Sequence, residues 1–415
     1  MGTRVSAVTV AVVALGVAGC GGSSSGGGKP SASGKQTIVY AESGLGSEGM
    51  QTAAAIKAFE QANPNITVKT DVLSPDSTTF LQQLQQGFIA GSSTPDVIES
   101  DVTYPPKFAR AGWIMPLNSF SPDLSQFFPA QVTAGQYQGK SYAIPWFANP
   151  EGLFYRTDLV PKAPKSPAQV VSDAQAAMSK DPALKEGLAF EGAKYEGAIT
   201  AFLTTDSAFG GKLTASGVDS AGNVAALKWL HDAIYVNKIA PAAVTGWQEG
   251  QVQMEFTSGH AAFAINFPFV EAVAAMGGPA KGHVGYIPFP AAPGGSPGSA
   301  LGGEMLAINA KSQHAAAAYK FIQYLTSSPV EIARAVATGD PPSLPSAYTS
   351  ALYAKAPYFK QVKVLNQYAQ TRPVDPKYLQ ISTSLQNAFS SVFANSSSAS
   401  SALGSAASQV KALGG

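Results

Sequence analysis

Trp146, Phe147, Asn149, Pro150 and Glu151 place aromatic surface, an amide, a rigid turn and a carboxylate within one short stretch of the chain. Rings offer apolar faces, while the amide and carboxylate offer directed hydrogen bonds. More such groups follow Pro95-Asp96-Val97-Ile98, a run that reads as a strand, where Glu99, Asp101 and Tyr104 stand at its end. In open parallel sheets, ligands bind beyond the carboxyl ends of strands. Two carboxylates also suffice to hydrolyse a glycoside, so an enzyme stays open at this point.

Other chemistries find little support. His231, His260, His283 and His314 are too scattered for metal-ligand spacing, and there is no H-E-x-x-H or paired-cysteine set, so neither a metal nor a cofactor is expected. Gly294-Gly295-Ser296-Pro297-Gly298 and Gly22-Ser23-Ser24-Ser25-Gly26 match G-x-S-x-G. The first lies in a proline-broken loop and the second in a polar tract, whereas a nucleophile elbow needs a strand before it and a helix after it. A phosphate-cradling G-x-x-x-x-G-K-[ST] loop is absent from the sequence.

The elements that must position these groups alternate. Thr37–Ala41 reads as a strand, Ala53, Ile56 and Phe59 as a helix face ended by Asn63-Pro64, and Ile66 to Val72 as a second strand. Strand, helix, strand is the parallel crossover unit. Leu81, Leu84 and Phe88 form another helix face, and Trp113 reads as core. Helical stretches are expected at 167–180, 195–210, 220–238 and 248–259, a strand at Ala261–Ile265, and a further strand at Leu306–Ile308. A late helix carries Tyr378, Ile381, Leu385, Phe389 and Val392 on one face. In the central stretch, Ser141–Pro145 reads as a strand end and Leu153–Tyr155 as a second apolar run. The polar set between them is expected to be a crossing segment that lines a cleft, because buried polar groups each need a partner. With breaks near Pro290 and Pro342, the simplest folding is α/β: two lobes, each a mainly parallel sheet flanked by helices, with three crossings as a hinge. On this reading 37–146 and 291–342 form one lobe, and 147–290 and 343–415 the other.

The 415 residues suffice for such cores, and a net charge of +1 with 13% charged residues gives no electrostatic case for nucleic acid. Residues 1–19 read as an export signal: Arg4, the apolar run Val5–Val17, then Val17-Ala18-Gly19 before the single cysteine, Cys20. Val-Ala-Gly-Cys resembles a bacterial lipobox, which implies a diacylglyceryl group on Cys20 and an anchor on the outer face of the cytoplasmic membrane. Residues 20–36, rich in glycine and serine, read as a flexible tether.

An ordered set of short blocks carries a wider resemblance. It comprises Phe59-Glu60 with Asn63-Pro64-Asn65-Ile66, Pro95-Asp96-Val97, Arg110-Ala111-Gly112-Trp113 with Pro116-Leu117, and Gly139-Lys140-x-Tyr142-x-Ile144-Pro145 with Tyr155-Arg156-x-Asp158. Gly259-x-Ala261-Ala262, Asn266-Phe267-Pro268-Phe269, Gly302-Gly303 before Leu306-Ala307-Ile308, and Thr371-Arg372-Pro373 complete it. Over residues 37 to 395 the chain resembles the carbohydrate-binding extracellular solute-binding proteins of ABC importers, nearest the trehalose- and maltose-binding branch. The resemblance implies a two-lobed periplasmic-binding fold, a non-catalytic monomer that closes on a sugar, and a membrane permease with a separate ATPase as partners.

It also implies sugar contacts at Glu42, Asp101, Asn149, Glu249, Phe267, Gly303 and Arg372. Phe267 stands where the branch often has Trp, and Glu304 where an apolar or aromatic residue is usual. Glu151 and Glu304 are added as acids of the same cleft, which opens an amino sugar as an alternative to a neutral one. The residue types suit either ligand: carboxylates, amides and arginine bind hydroxyls in pairs, and C–H faces lie on rings such as Phe267, Trp146 and Tyr104. Asp101 has a competing role as a helix cap, Phe267 as core, and Arg372 as the partner of Asp375.

Overall fold

The computed structural model describes residues 34–44, 48–74 and 77–414. Cys20, the export segment and nearly all of the tether lie outside the described residues. The strands are β1 (Gln36–Ser43), β2 (Ile66–Leu73), β3 (Val97–Asp101), β4 (Gln136–Tyr137), β5 (Lys140–Ser141), β6 (Ala143–Arg156), β7 (Glu186–Ala189), β8 (Ala261–Asn266), β9 (Val284–Ile287), β10 (Ser299–Ile308) and β11 (Ala369–Gln370).

The first crossover forms as expected. Helix Glu48–Ala62 buries Ile56 and Phe59, stops at Asn63-Pro64, and returns the chain to β2, parallel to β1. Helix Ser77–Ile89 packs Leu81, Leu84 and Phe88 and delivers β3 to the other side of β1, also in parallel. Helix Pro167–Lys180 matches its expected span; Ser166 caps it by accepting from the Gln169 amide at 3.1 Å. Helix Tyr378–Phe393 buries Tyr378, Ile381, Leu385, Phe389 and Val392 along one face, and helix Ala399–Ala412 packs beside it.

The main sheet runs β2-β1-β3-β10-β6-β8-β7, with β9 beside β6 and β11 beside β10. It is mixed. β1, β2 and β3 are parallel, as are β7 and β8, and the two long strands β10 and β6 add antiparallel pairs between these groups. Of the four apolar clusters among the described residues, the two largest flank this seam. One gathers Ile38, Tyr40, Phe59, Val97, Ile144, Leu306 and Phe321; the other gathers Leu153, Leu188, Phe202, Leu230, Phe263 and Phe389.

The central stretch departs from expectation. β6 is a single strand of 14 residues, not two short runs around a loop. Its first part pairs with β10 and its last part with β8 and β9, so one strand passes from the first core to the second. Pro145 and Pro150 do not stop it. The register against β10 slips between Glu304 and Met305, opposite Trp146, which makes a bulge beside Pro145. Trp146 is correspondingly not a cleft aromatic: it is 1% exposed and packs edge-on to Tyr40. Of the polar groups, Glu151 is fully buried with one oxygen bonded by Thr204, and Asn149 is half-buried.

Candidate functional site

Antiparallel pairing of β3 with β10 sets Asp101 opposite Glu304, and pairing of β10 with β6 sets Gly303 opposite Ala148 and Gly302 opposite Asn149. Asp101 does not cap a helix, since the N-cap of helix Pro105–Arg110 is Tyr104; its Oδ1 instead closes a local turn, accepting from the Thr103 amide at 2.8 Å and hydroxyl at 2.5 Å. It also faces Arg372, whose Nη2 lies 3.5 Å away. The two roles coexist because a carboxylate oxygen accepts more than one donor.

Gly303 is required by geometry. Its φ of +106° suits glycine, and a Cβ would meet the Phe147 carbonyl oxygen at 2.1 Å. Gly302 makes room for Phe267: a Cβ there would lie 2.9 Å from the ring's Cε1. Phe267 follows β8, is buried, and is held by its amide donating to Asn266 Oδ1 at 2.7 Å. Its competing role as core is thus partly realised, because the ring covers the β10 backbone.

Arg372 does not pair with Asp375, whose carboxylate instead accepts from the Lys377 amide at 2.7 Å. Its Nη1 donates to Glu196 Oε1 at 2.9 Å. Tyr378 donates to the same oxygen, and Ser382 to Glu196 Oε2 at 2.6 Å. Tyr104, whose hydroxyl burial holds well above its ordinary pKa, feels Asp101, Glu304, Arg372 and Glu196 together. Those five side chains form one polar group beneath the end of β3.

A second acidic group sits on the other core. Glu151 Oε2 accepts from Thr204 Oγ1 at 2.7 Å, and its Oε1 is buried without a donor. Burial pushes Glu151 up to about 8, with Glu249 adding repulsion and Thr204 opposing it. Glu191 is fully buried, takes the Tyr195 hydroxyl on Oε2, and leaves Oε1 without a donor. Burial raises it well above the usual carboxylate range, and Glu151 and Glu249 raise it further. Glu249, at the start of helix Glu249–Thr257, is pushed up to about 7 by burial. Its amide donates to Tyr195 Oη at 2.9 Å. Acids this close and dry hold protons, so Glu151 and Glu191 can donate as well as accept.

Glu42, at the end of β1, lies apart from both groups. It is buried beside Thr52 and pushed up to about 7 by burial, and Glu99 of β3, pushed to about 8, is its neighbour. Asn149 is half-buried on β6 between the two groups.

Sequence reasoning missed Glu191, Tyr195, Glu196 and Tyr378. A signal existed: Glu191 and Glu196 follow the carboxyl end of β7, where ligand groups gather in parallel pairs, but β7 is only four residues long and was not anticipated.

Residues 45–332 match the profile of the family described as bacterial extracellular solute-binding protein. A Deinococcus radiodurans protein described as a probable ABC transporter-binding protein is 30% identical over 390 residues, covering 88% of this chain and 91% of that one. Among solved structures, maltose-bound MalE3 of T. maritima superposes with a TM-score of 0.80 at 29% identity, covering 91% of this chain and 99% of that one. The GacH receptor of Streptomyces glaucescens, solved unliganded and with acarbose, shares the fold with a TM-score of 0.78 at 23% identity, covering 91% and 98%.

Proposed function

The chain belongs to the bacterial extracellular solute-binding protein family, and from that premise we propose that it captures a di- or oligosaccharide of the trehalose or maltose type by hinge closure. It then hands the sugar to an ABC permease driven by a separate ATPase. The observation that carries this reading is the seam itself. β6 and β10 pass between two cores and set Asn149, Gly302, Gly303 and Glu304 beside Asp101 of β3, with the Phe267 ring against Gly302 and Arg372 Nη2 3.5 Å from Asp101. Carboxylate, amide and guanidinium there suit hydroxyls, and Phe267 suits a C–H face. Glu151 and Glu249 add acids from the second core, and Glu42 one from the first.

A panel of saccharides in a thermal-shift assay tests the reading. The cognate sugar at one hundred times its dissociation constant should add about 2.7 kcal/mol of stability. Failure of every neutral and amino disaccharide and trisaccharide to shift the transition would refute it. Acids held above their usual range by burial around Glu151 favour a neutral sugar over an amino sugar, since a protonated carboxyl both donates to and accepts from hydroxyls but lacks the charge that an ammonium would pair with. A larger shift with amino sugars would reverse that choice. A glycoside-processing enzyme would instead release reducing sugar from the bound ligand, which a binding protein does not.

Anchoring follows from Cys20. Its diacylglyceryl group would hold the protein at the outer face of the membrane, with residues 20–36 as tether. Cys20→Ala should leave ligand binding intact and release the protein from the membrane fraction. If the variant sediments with membranes as wild type does, Cys20 is not the anchor.

A further inference from the structure

Glu196 begins helix Glu196–Asp206, whose Ala198, Ile199, Phe202 and Leu203 pack in the second core. Asp101 ends β3, whose Val97 and Ile98 pack on the other side of the seam. Arg372 lies between them, 6% exposed, with Nη1 2.9 Å from Glu196 and Nη2 3.5 Å from Asp101. The row Glu196, Arg372, Asp101 therefore joins groups that belong to different cores.

The two contacts are unequal. Glu196 is fixed on both oxygens, by Tyr378 on one and by Ser382 at 2.6 Å on the other, and Tyr378 and Ser382 belong to one helix of the second core. The Tyr378 ring also lies under the guanidinium, 6.0 Å from centroid to Cζ. Asp101 has its own donors from Thr103 and stays satisfied if Arg372 withdraws. Parting of the cores thus breaks the long contact and keeps the short one, and neither acid is left without a donor. Burial works against the guanidinium's charge, and Asp101, Tyr378 and Glu196 outweigh it, so the cation persists.

We propose that Glu196 is a positioning residue: with Tyr378 and Ser382 it holds Arg372 on the second lobe, aimed at Asp101, so that the three charges latch the lobes together before any ligand arrives. A ligand that reaches Asp101 or Arg372 then meets a preformed pair, and the latch biases the lobes toward closure. This goes beyond the sugar reading and does not depend on which sugar binds.

The test needs no ligand. In a full-length Cys20→Ser background, spin labels at Lys57→Cys and Lys180→Cys, both on exposed helix positions, report the separation of the lobes by pulsed EPR. Glu196→Gln should move the ligand-free distance distribution to longer values, Asp101→Asn should do the same, and Glu196→Gln with Arg372→Gln should open no further than either alone. Ser382→Ala, a smaller change, should shift it part of the way and serves if Glu196→Gln fails to fold. A distribution that stays put in Ser382→Ala and Glu196→Gln while the melting temperature falls would mean a merely structural role and overturn the proposal. Opening in the double variant equal to the sum of the singles would overturn it as well.

Discussion

Replacing Arg334 by alanine should cost the protein roughly 3–5 kcal/mol of stability, because it removes a buried guanidinium from between two rings and strands the Trp146 carbonyl and the Asp340 carboxylate, 3.8 Å from Nη1. Arg334 is 4% exposed and lies 4.6 Å from the Trp146 ring centroid and 4.7 Å from that of Phe147. Its Nη2 donates to the Trp146 carbonyl at 2.8 Å, where β6 bulges past β10. One turn earlier on the same helix, Glu331 is fully buried and accepts from the Ser343 amide at 2.9 Å, the Ser343 hydroxyl at 2.5 Å and the Leu344 amide at 3.2 Å. Burial pushes Glu331 up to about 8, and the Arg334 charge is the largest influence opposing it. Together these residues tie helix Ser328–Thr338 to the crossing strand and to the 340–344 segment. Lysine keeps the charge but not the planar stacking on two rings, so Arg334→Lys should recover only part of the loss. Arg110, exposed on the surface, is the control: its alanine variant should stay within about 0.5 kcal/mol of wild type. Chemical denaturation of the three variants checks this. Equal midpoints for Arg334→Ala and Arg110→Ala would show that the arginine clamp holds nothing.

The second large effect is on pH. Glu99 and Glu151 are pushed up to about 8, and Glu42, Glu249 and Asp206 to about 7, in every case first by burial. In the unfolded chain these groups titrate near their ordinary values of 4.5 for Glu and 3.8 for Asp. Between those values and 7–8 the folded protein holds more protons than the unfolded chain. Stability is therefore fully present below about 4.5 and is lost as pH rises through the folded values. One such carboxyl contributes about 1.4 kcal/mol per pH unit across its window. Asp158, lowered first by its hydrogen bond with Arg156, opposes the trend only in strong acid. Calorimetric scans of the ligand-free protein should give a higher melting temperature at pH 5.5 than at pH 8. Glu191→Gln, which removes one member of the Glu151 group, should flatten the dependence. A melting temperature that climbs from pH 5.5 to 8 would contradict the protonated-acid picture.

Much of the frame was legible in the residues. The β1–helix–β2 crossover, the helix Pro167–Lys180 and the apolar face of Tyr378–Phe393 follow from periodicity and caps, which act over a few residues. Asp101 stands out from the residues themselves as an acid at a strand's carboxyl end, whereas Gly303 is singled out only by the family resemblance. The long strand β6 was not legible. Two prolines and a carboxylate argue against a core strand locally, and only the bulge of β6 against β10 and Thr204, 53 positions away, resolve that conflict. Arg372 shows the same limit: Asp375 is its near neighbour in sequence, yet Glu196, 176 positions earlier, takes the cation. Long-range partners decide which polar group is buried and satisfied, and a single chain carries no local trace of them.

Capture of a sugar by closure of two lobes is the central claim, and small-angle scattering tests it most directly. With the saccharide that gives the largest thermal shift at saturation, the radius of gyration should fall relative to the ligand-free protein, and Arg372→Ala should abolish the change at the same concentration. Scattering curves that superimpose with and without a sugar proven to bind would contradict the account.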